Sequence, residues 1–186
     1  MEMTVQHYHI FETTLGFCAI AWSDKGISRF RLPEANAEAT EQSLLRRLPD
    51  ATPATPPLAI AAAVAAAQRY FCGEKTDFSA VPVDLGKQTE LFEKIYAAAR
   101  QLGYGETTTY GEMAKRFGDD WEIAREVGQA MAKNPIPLII PCHRVLAAGG
   151  KVGGFSAPGG AATKVKMLEL EGVYLAPKPA QQSLSF

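Results

Sequence analysis

Between Asn134 and Val145 the chain reads Asn-Pro-Ile-Pro-Leu-Ile-Ile-Pro-Cys-His-Arg-Val. Pro137 and Pro141 fence an apolar run of Leu138, Ile139 and Ile140. Proline fixes φ and removes a backbone donor, so Pro141 stops the run and forces a turn at Cys142. A thiol at a turn that closes a buried segment is held rigidly, and a nucleophile needs that placement.

A free cysteine titrates near ~8.5, so only a few per cent is thiolate at neutral pH. A neighbouring base or positive charge raises that fraction, and His143 and Arg144 are the local candidates. Adjacent side chains rarely face one another, so His143 needs a bridging water or a third group to orient it. Two plainer readings stand beside this one: a buried structural cysteine, and a zinc ligand. Structural zinc asks for four ligands, often as closely spaced cysteine pairs. This chain has three scattered cysteines, Cys18, Cys72 and Cys142.

The first half opens on three strand-like stretches, residues 8–13, 17–22 and 27–32, rich in β-branched and aromatic residues. Gly16 and the cluster Ser23-Asp24-Lys25-Gly26 separate them as turns, which predicts an antiparallel meander ended by Pro33. Helices are predicted over 34–48 and 58–72, the second closed by Gly73. A short segment over 81–85 follows, and a domain boundary is placed near Gly86, dividing the chain into 1–85 and 86–186. His7 and His9 share a strand face at metal-like spacing, but without a third ligand they read as an ordinary surface pair. Cys18 and Cys72 read as core residues.

The second half is helical. Thr89 caps a helix carrying Leu91, Phe92, Ile95, Tyr96, Ala99 and Leu102 on one face, stopped by Gly103. Thr109 and Glu112 have capping-box spacing, and Asp119 and Glu122 repeat it before a helix over 120–133. The two helices, joined through Phe117-Gly118-Asp119, have a helix-turn-helix outline. On the second, Ile123, Val127, Ala130 and Met131 share the buried face. Ala124, Gly128 and Ala132 form a small-residue stripe beside Arg125. Gly128 costs about 1 kcal/mol against alanine inside a helix, so the stripe exists for close approach, to another helix or to a DNA groove.

The string Pro141-Cys142-His143-Arg144-Val145 resembles the active-site signature of the O6-alkylguanine–DNA alkyltransferases, or methylated-DNA–protein-cysteine methyltransferases. The match extends in order from about Tyr104 to Gly172. Tyr110-Gly-Glu-Met-Ala resembles the opening of that family's first helix. Ala124-Arg125-x-Val127-Gly128-x-Ala130-Met131 with Asn134-Pro135 resembles its recognition helix and following turn, and Lys164-x-x-x-Leu168-x-x-Glu171-Gly172 resembles its last helix.

The resemblance implies an α+β chain: a small antiparallel sheet with helices, ribonuclease H-like, then a mostly helical, winged-helix-like domain with a helix-turn-helix. It implies a recognition helix in the minor groove, with Arg125, Ala124 and Gly128 at the DNA and Arg125 filling the stack vacated by a flipped nucleotide. It implies a relay in which Glu171 orients His143, His143 takes the thiol proton through water, and Cys142 attacks the alkyl carbon. Tyr110 crowds the target phosphate and later donates to the departing base. Asn134 braces the turn. Phe155, Ser156, Val145 and Met131 wall the substrate pocket; most relatives have Tyr where Phe155 stands, so an aromatic wall survives without a phenol hydrogen bond. The product thioether is not hydrolysed, so each molecule acts once. No cofactor is implied. Some relatives carry structural zinc in the first domain, and no matching ligand set is present here. The implied partner is double-stranded DNA carrying O6-alkylguanine, with O4-alkylthymine a second candidate lesion, and the implied state is a monomer.

Composition sets the outer limits. With 47% apolar and 21% charged residues among 186, the chain can bury a core. No apolar run approaches the ~18 residues of a membrane span, and no signal-peptide pattern opens it. Unpaired cysteines point to a reducing compartment, hence the cytoplasm. Residues 1–85 carry 7 basic and 10 acidic side chains, and residues 86–186 carry 12 and 10. That asymmetry fits a modest DNA footprint confined to the second half. Competing readings are a non-catalytic alkylguanine binder, against which Cys142 argues; a Cys-His hydrolase, whose local signatures are missing; and a DNA-binding regulator, which leaves the Cys-His string unexplained.

Overall fold

A computed structural model describes residues 4–155 and 159–175. Strands β1 (His7–Thr13), β2 (Gly16–Ser23) and β3 (Gly26–Glu34) form the predicted antiparallel meander. Gly16 makes the first turn at φ 129°, and a Cβ there would collide with the Glu34 carbonyl oxygen. A two-residue strand, β4 (Thr52–Pro53), adds parallel to β1, giving the order β3-β2-β1-β4. β3 continues through Pro33 instead of stopping there. It lies at the sheet edge, where proline's missing N–H disrupts no ladder.

Both faces of the sheet are covered. Helix α1 (Ala37–Leu45) packs on one face, where Tyr8, Ala19, Ala21 and Leu44 form a small core. It is shorter than predicted at both ends and is capped by Asn36, whose side chain accepts from Ala39 N. On the other face Phe11, Cys18, Ile20 and Trp22 join α2 (Leu58–Phe71) and the helices of the second half in the main core. Alternate residues of β2 thus serve two cores, which is why residues 18–22 read as one apolar run. Cys18 is buried, but Cys72 is exposed, contrary to the core role expected for it, because it caps α2 one residue beyond the apolar face.

The second half holds α3 (Glu90–Arg100), β5 (Thr108–Thr109), α4 (Tyr110–Ala114), α5 (Trp121–Ala132), β6 (Val145–Leu146) and α6 (Gly160–Leu170). Thr89 and Thr109 cap α3 and α4 as expected, each accepting a backbone N–H at 3.1 Å. The second capping box does not form: Asp120, not Asp119, precedes α5, and its side chain caps nothing. α4 packs on α5, and the Tyr96 hydroxyl donates to Ala130 O at 2.8 Å, tying α3 to α5. On α6 the buried residues are Lys164, Met167 and Leu168, and Val165 is half-buried.

The free edge of β3 is not left open. Ile27 bonds both sides of the segment over 82–84, and Phe30 N donates to Pro135 O at 3.1 Å. The sheet edge therefore holds the turn from which the proline-fenced run departs, and Ile27 and Phe30 are not left as open edge groups.

Candidate active site

Asn134 organises the run. Its side-chain amide donates to Ile140 O at 2.8 Å, while its carbonyl oxygen accepts from Ile136 N at 3.0 Å. One side chain thus clasps both ends of the loop. Inside it, Leu138 adopts φ 74°, a left-handed conformation costing on the order of 1 kcal/mol for a branched residue, and it is buried. Packing and the Asn134 clasp hold this strain in place. Pro141 then leads into a single 3-10 turn, Cys142–Arg144.

Cys142 is 5% exposed and lines a cavity of about 380 Å³ with Tyr110, Gly128, Met131, Ala132, Gly154 and Phe155. The thiol therefore has a chamber to act in. A Cβ built on Gly128 would meet nothing within 4 Å, so the small-residue stripe is not a helix–helix contact there. Arg125 is exposed on the same helix. Val145 is fully buried and is not on the wall of this cavity. Ser156 lies outside the described residues.

His143 is fully buried, and its Nε2 lies 3.1 Å from Glu171 Oε2. The carboxylate accepts, so the proton sits on Nε2. Nδ1 is buried with no partner among the described residues, leaving its lone pair free to act as a base. The Tyr70 hydroxyl, from α2, lies 3.3 Å from the same Nε2 and 3.4 Å from Met167 O. Burial lowers the His143 pKa below its ordinary 6.5, against the opposing pull of Glu171. Burial acts to raise Glu171, but hydrogen bonds from His143 and Arg144 win and hold it below the ordinary carboxylate value.

Arg144 does not serve the thiol, as its place in the sequence suggested. Its guanidinium is buried and grips Glu171 Oε1 through Nε at 2.8 Å and through Nη2, and donates to Leu102 O at 2.6 Å. An acid at the C-terminal end of α6, opposed by the helix dipole, is held there by this pairing. The cation acting on Cys142 is Lys164. It is fully buried, donates to Val145 O at 2.7 Å, and lies 5.7 Å from the Tyr110 ring centroid and 5.9 Å from that of Phe155. Burial pushes its pKa down to about 8, and Cys142 resists that fall. Burial raises the Cys142 pKa, opposed by the Asn134 hydrogen bond and by Lys164. Burial, then Cys142, also raises Tyr110, which stays a neutral phenol able to donate.

The chain matches the family model for the 6-O-methylguanine DNA methyltransferase DNA-binding domain over residues 90–173. It is 36% identical over 165 residues to the methylated-DNA–protein-cysteine methyltransferase of Mycobacterium tuberculosis H37Rv, covering 89% of this chain and 92% of that one. It belongs to the methylated-DNA–protein-cysteine methyltransferase family. A Methanothermobacter thermautotrophicus member is 31% identical over 156 residues, covering 84% of this chain and 80% of its own. The crystal structure of the M. tuberculosis O6-methylguanine methyltransferase superposes with a TM-score of 0.71 at 33% identity, covering 94% of this chain and 97% of that one. The same mycobacterial protein in complex with DNA gives 0.70 at 34% identity, covering 89% and 92%. The mixed α+β architecture, a small sheet plus helices, is that of these family members.

Within the family frame, sequence reasoning missed Tyr70 and the ionic role of Lys164. Tyr70 resembles any other aromatic on an apolar helix, and only the fold brings it to His143, 73 positions away. Among the described residues no group of three or more metal-ligating side chains is gathered, and His7 instead meets Thr52 Oγ1 at 3.2 Å. No helix among them is long and apolar enough to cross a membrane.

The buried relay gives stability a defined pH dependence. Below pH 6.5 an unfolded chain takes up a proton that folded His143 refuses, so stability falls as pH falls through that window. Glu171, with its folded pKa below the ordinary 4.5, extends the loss to lower pH. The expected result is a melting temperature that declines in two stages on acidification, the first absent in His143→Gln. An unchanged first stage in that variant would place the proton elsewhere.

Proposed function

We propose that the protein repairs DNA by moving an alkyl group from guanine O6 in a duplex to its own Cys142. The observation that carries this reading is a single reactive-type thiol opening on an apolar cavity, with a buried His143–Glu171 pair beside it. His143 Nδ1 takes the thiol proton through one water while Glu171 holds the ring. The sulfur attacks the alkyl carbon in line, the carbon–O6 bond breaks, and the electron pair leaves on guanine O6. Tyr110 donates a hydrogen bond to the departing base. Lys164 steadies the thiolate by charge at no cost in proton transfer. A thioether forms, which water does not cleave, so the protein is consumed one molecule per lesion. O4-alkylthymine offers the same carbon–oxygen bond and is a second candidate substrate.

The target carbon lies inside the stack, so the nucleotide swings out at a cost of a few kcal/mol. The α4–α5 pair serves as a helix-turn-helix of winged-helix type. The open face at Gly128 supports a backbone laid closely into the minor groove, with exposed Arg125 filling the gap left by the base. Residues 1–85 act as a ribonuclease H-like support and residues 86–186 as the transfer unit, in a monomer working in the cytoplasm.

One experiment tests the reading. The protein is mixed with a duplex containing O6-methylguanine and weighed intact and after digestion. One methyl is expected, on the peptide holding Cys142, with no further substrate consumed. Methyl on Cys18 or Cys72, or repeated turnover, overturns it. In the same assay Arg125→Ala loses about 100-fold in duplex repair, from the flipping cost of a few kcal/mol. It retains reaction with free O6-benzylguanine, and an equal loss with both removes the flipping role.

A further inference from the structure

A second cavity, about 460 Å³, curls around the edge of β3 and ends on Cys142 and Phe155. Its far wall carries Arg29 and Arg31 from β3 and Arg47 from just beyond α1, with Lys133 on the near side. No acidic side chain lines it. Arg29 and Arg31 are two apart on one strand face, opposite Ala21 and Ala19 of β2, whose small side chains leave room for the long stems. Among the described residues none of the three guanidiniums makes an ion pair or a hydrogen bond, and Arg31 Nε is buried without a partner. Glu34, whose Oε2 is also buried without a hydrogen-bond partner among the described residues, favours the charged form of Arg31, while Arg47 and Arg46 act against it; Arg29 in turn feels Arg47 and Arg31.

Like charges gathered around an unsatisfied buried donor are costly unless an anion joins them. Three of the seven basic residues of the first half, Arg29, Arg31 and Arg47, line this groove although that half is net negative. Guanidinium matches phosphate oxygens in paired hydrogen bonds, and a groove leading to the reacting thiol runs beside whatever strand delivers the base. We propose that this groove is a phosphodiester site: Arg29, Arg31 and Arg47 donate to backbone phosphates of the DNA flanking the nucleotide under repair. The footprint then extends onto the first half of the chain. This inference rests on the DNA-repair reading above.

The test is the salt dependence of binding to an unmodified duplex, measured by fluorescence anisotropy for the wild type, the triple variant R29Q/R31Q/R47Q and the charge-keeping R29K/R31K/R47K. Each phosphate that a variant no longer neutralises takes about 0.9 off the slope of log affinity against log salt. The glutamine variant is expected to be shallower by about 2.7 if each arginine neutralises one phosphate, with a melting temperature near that of the wild type, and the lysine variant to stay close to the wild-type slope. A wild-type slope in a folded glutamine variant overturns the proposal. So does inorganic phosphate raising the wild-type melting temperature while that DNA slope stays unchanged, which would make this a small-anion site. Failure of the wild type to alkylate Cys142 is a separate result, and it overturns the repair reading instead.

Discussion

Cys142→Ala transfers no alkyl group at all, yet still binds a duplex carrying O6-methylguanine. The alanine methyl has no lone pair, and no second thiol lines the cavity: Cys18 is buried in the sheet core and Cys72 is on the surface past α2. Loss of one buried sulfur costs on the order of 1 kcal/mol in packing, too little to unfold a domain of this size. The Asn134 clasp and the His143–Glu171 pair do not depend on the sulfur, so the chamber keeps its shape. Intact mass after incubation checks the first half of the expectation, and a gel shift with the lesion duplex checks the second. Residual methyl uptake by the variant would place the nucleophile elsewhere.

Glu171→Ala is expected to lower stability by about 3–5 kcal/mol, the range for removing one partner of a buried ion pair. Two groups lose their anchor together. Among the described residues the buried Arg144 guanidinium is left with Leu102 O as its hydrogen-bond acceptor, and the His143 Nε2 proton keeps the Tyr70 hydroxyl oxygen. Glu171→Gln keeps one acceptor and the shape, so it loses less. Urea denaturation of the three proteins gives the comparison. Losses below about 1 kcal/mol for alanine, the level of an exposed pair, would show that water reaches the pair and that the relay is not sealed. The surviving folded fraction of either variant transfers slowly, because an unoriented imidazole seldom presents Nδ1 to the thiol.

Local chemistry in the chain is enough to place the meander turns, the Thr89 and Thr109 caps and the Cys142 turn, since each depends on residues within four positions. It fails where distance in the chain decides. The Asp119 box does not close because the helix starts one residue later than its spacing suggests. Pro33 has the mark of a strand end, but edge position is a property of the sheet, not of the strand. A lysine on a helix normally marks the wet face, so nothing local marks Lys164 as fully buried; the carbonyl of Val145, two aromatic rings and Cys142, all brought from elsewhere, make that position tolerable. Arg144 stands two residues from Cys142, but a 3-10 turn sends successive side chains apart, and its guanidinium goes to Glu171.

The Tyr70 hydroxyl sets a limit on recombining this protein with its relatives. It comes from α2 yet touches the imidazole of the last half, so a chimaera joined near Gly86 inherits a mixed contact. A donor front section with a shorter or apolar side chain at that position would fold and still mistune the back section. Transplants between relatives succeed only when the phenol travels with the histidine.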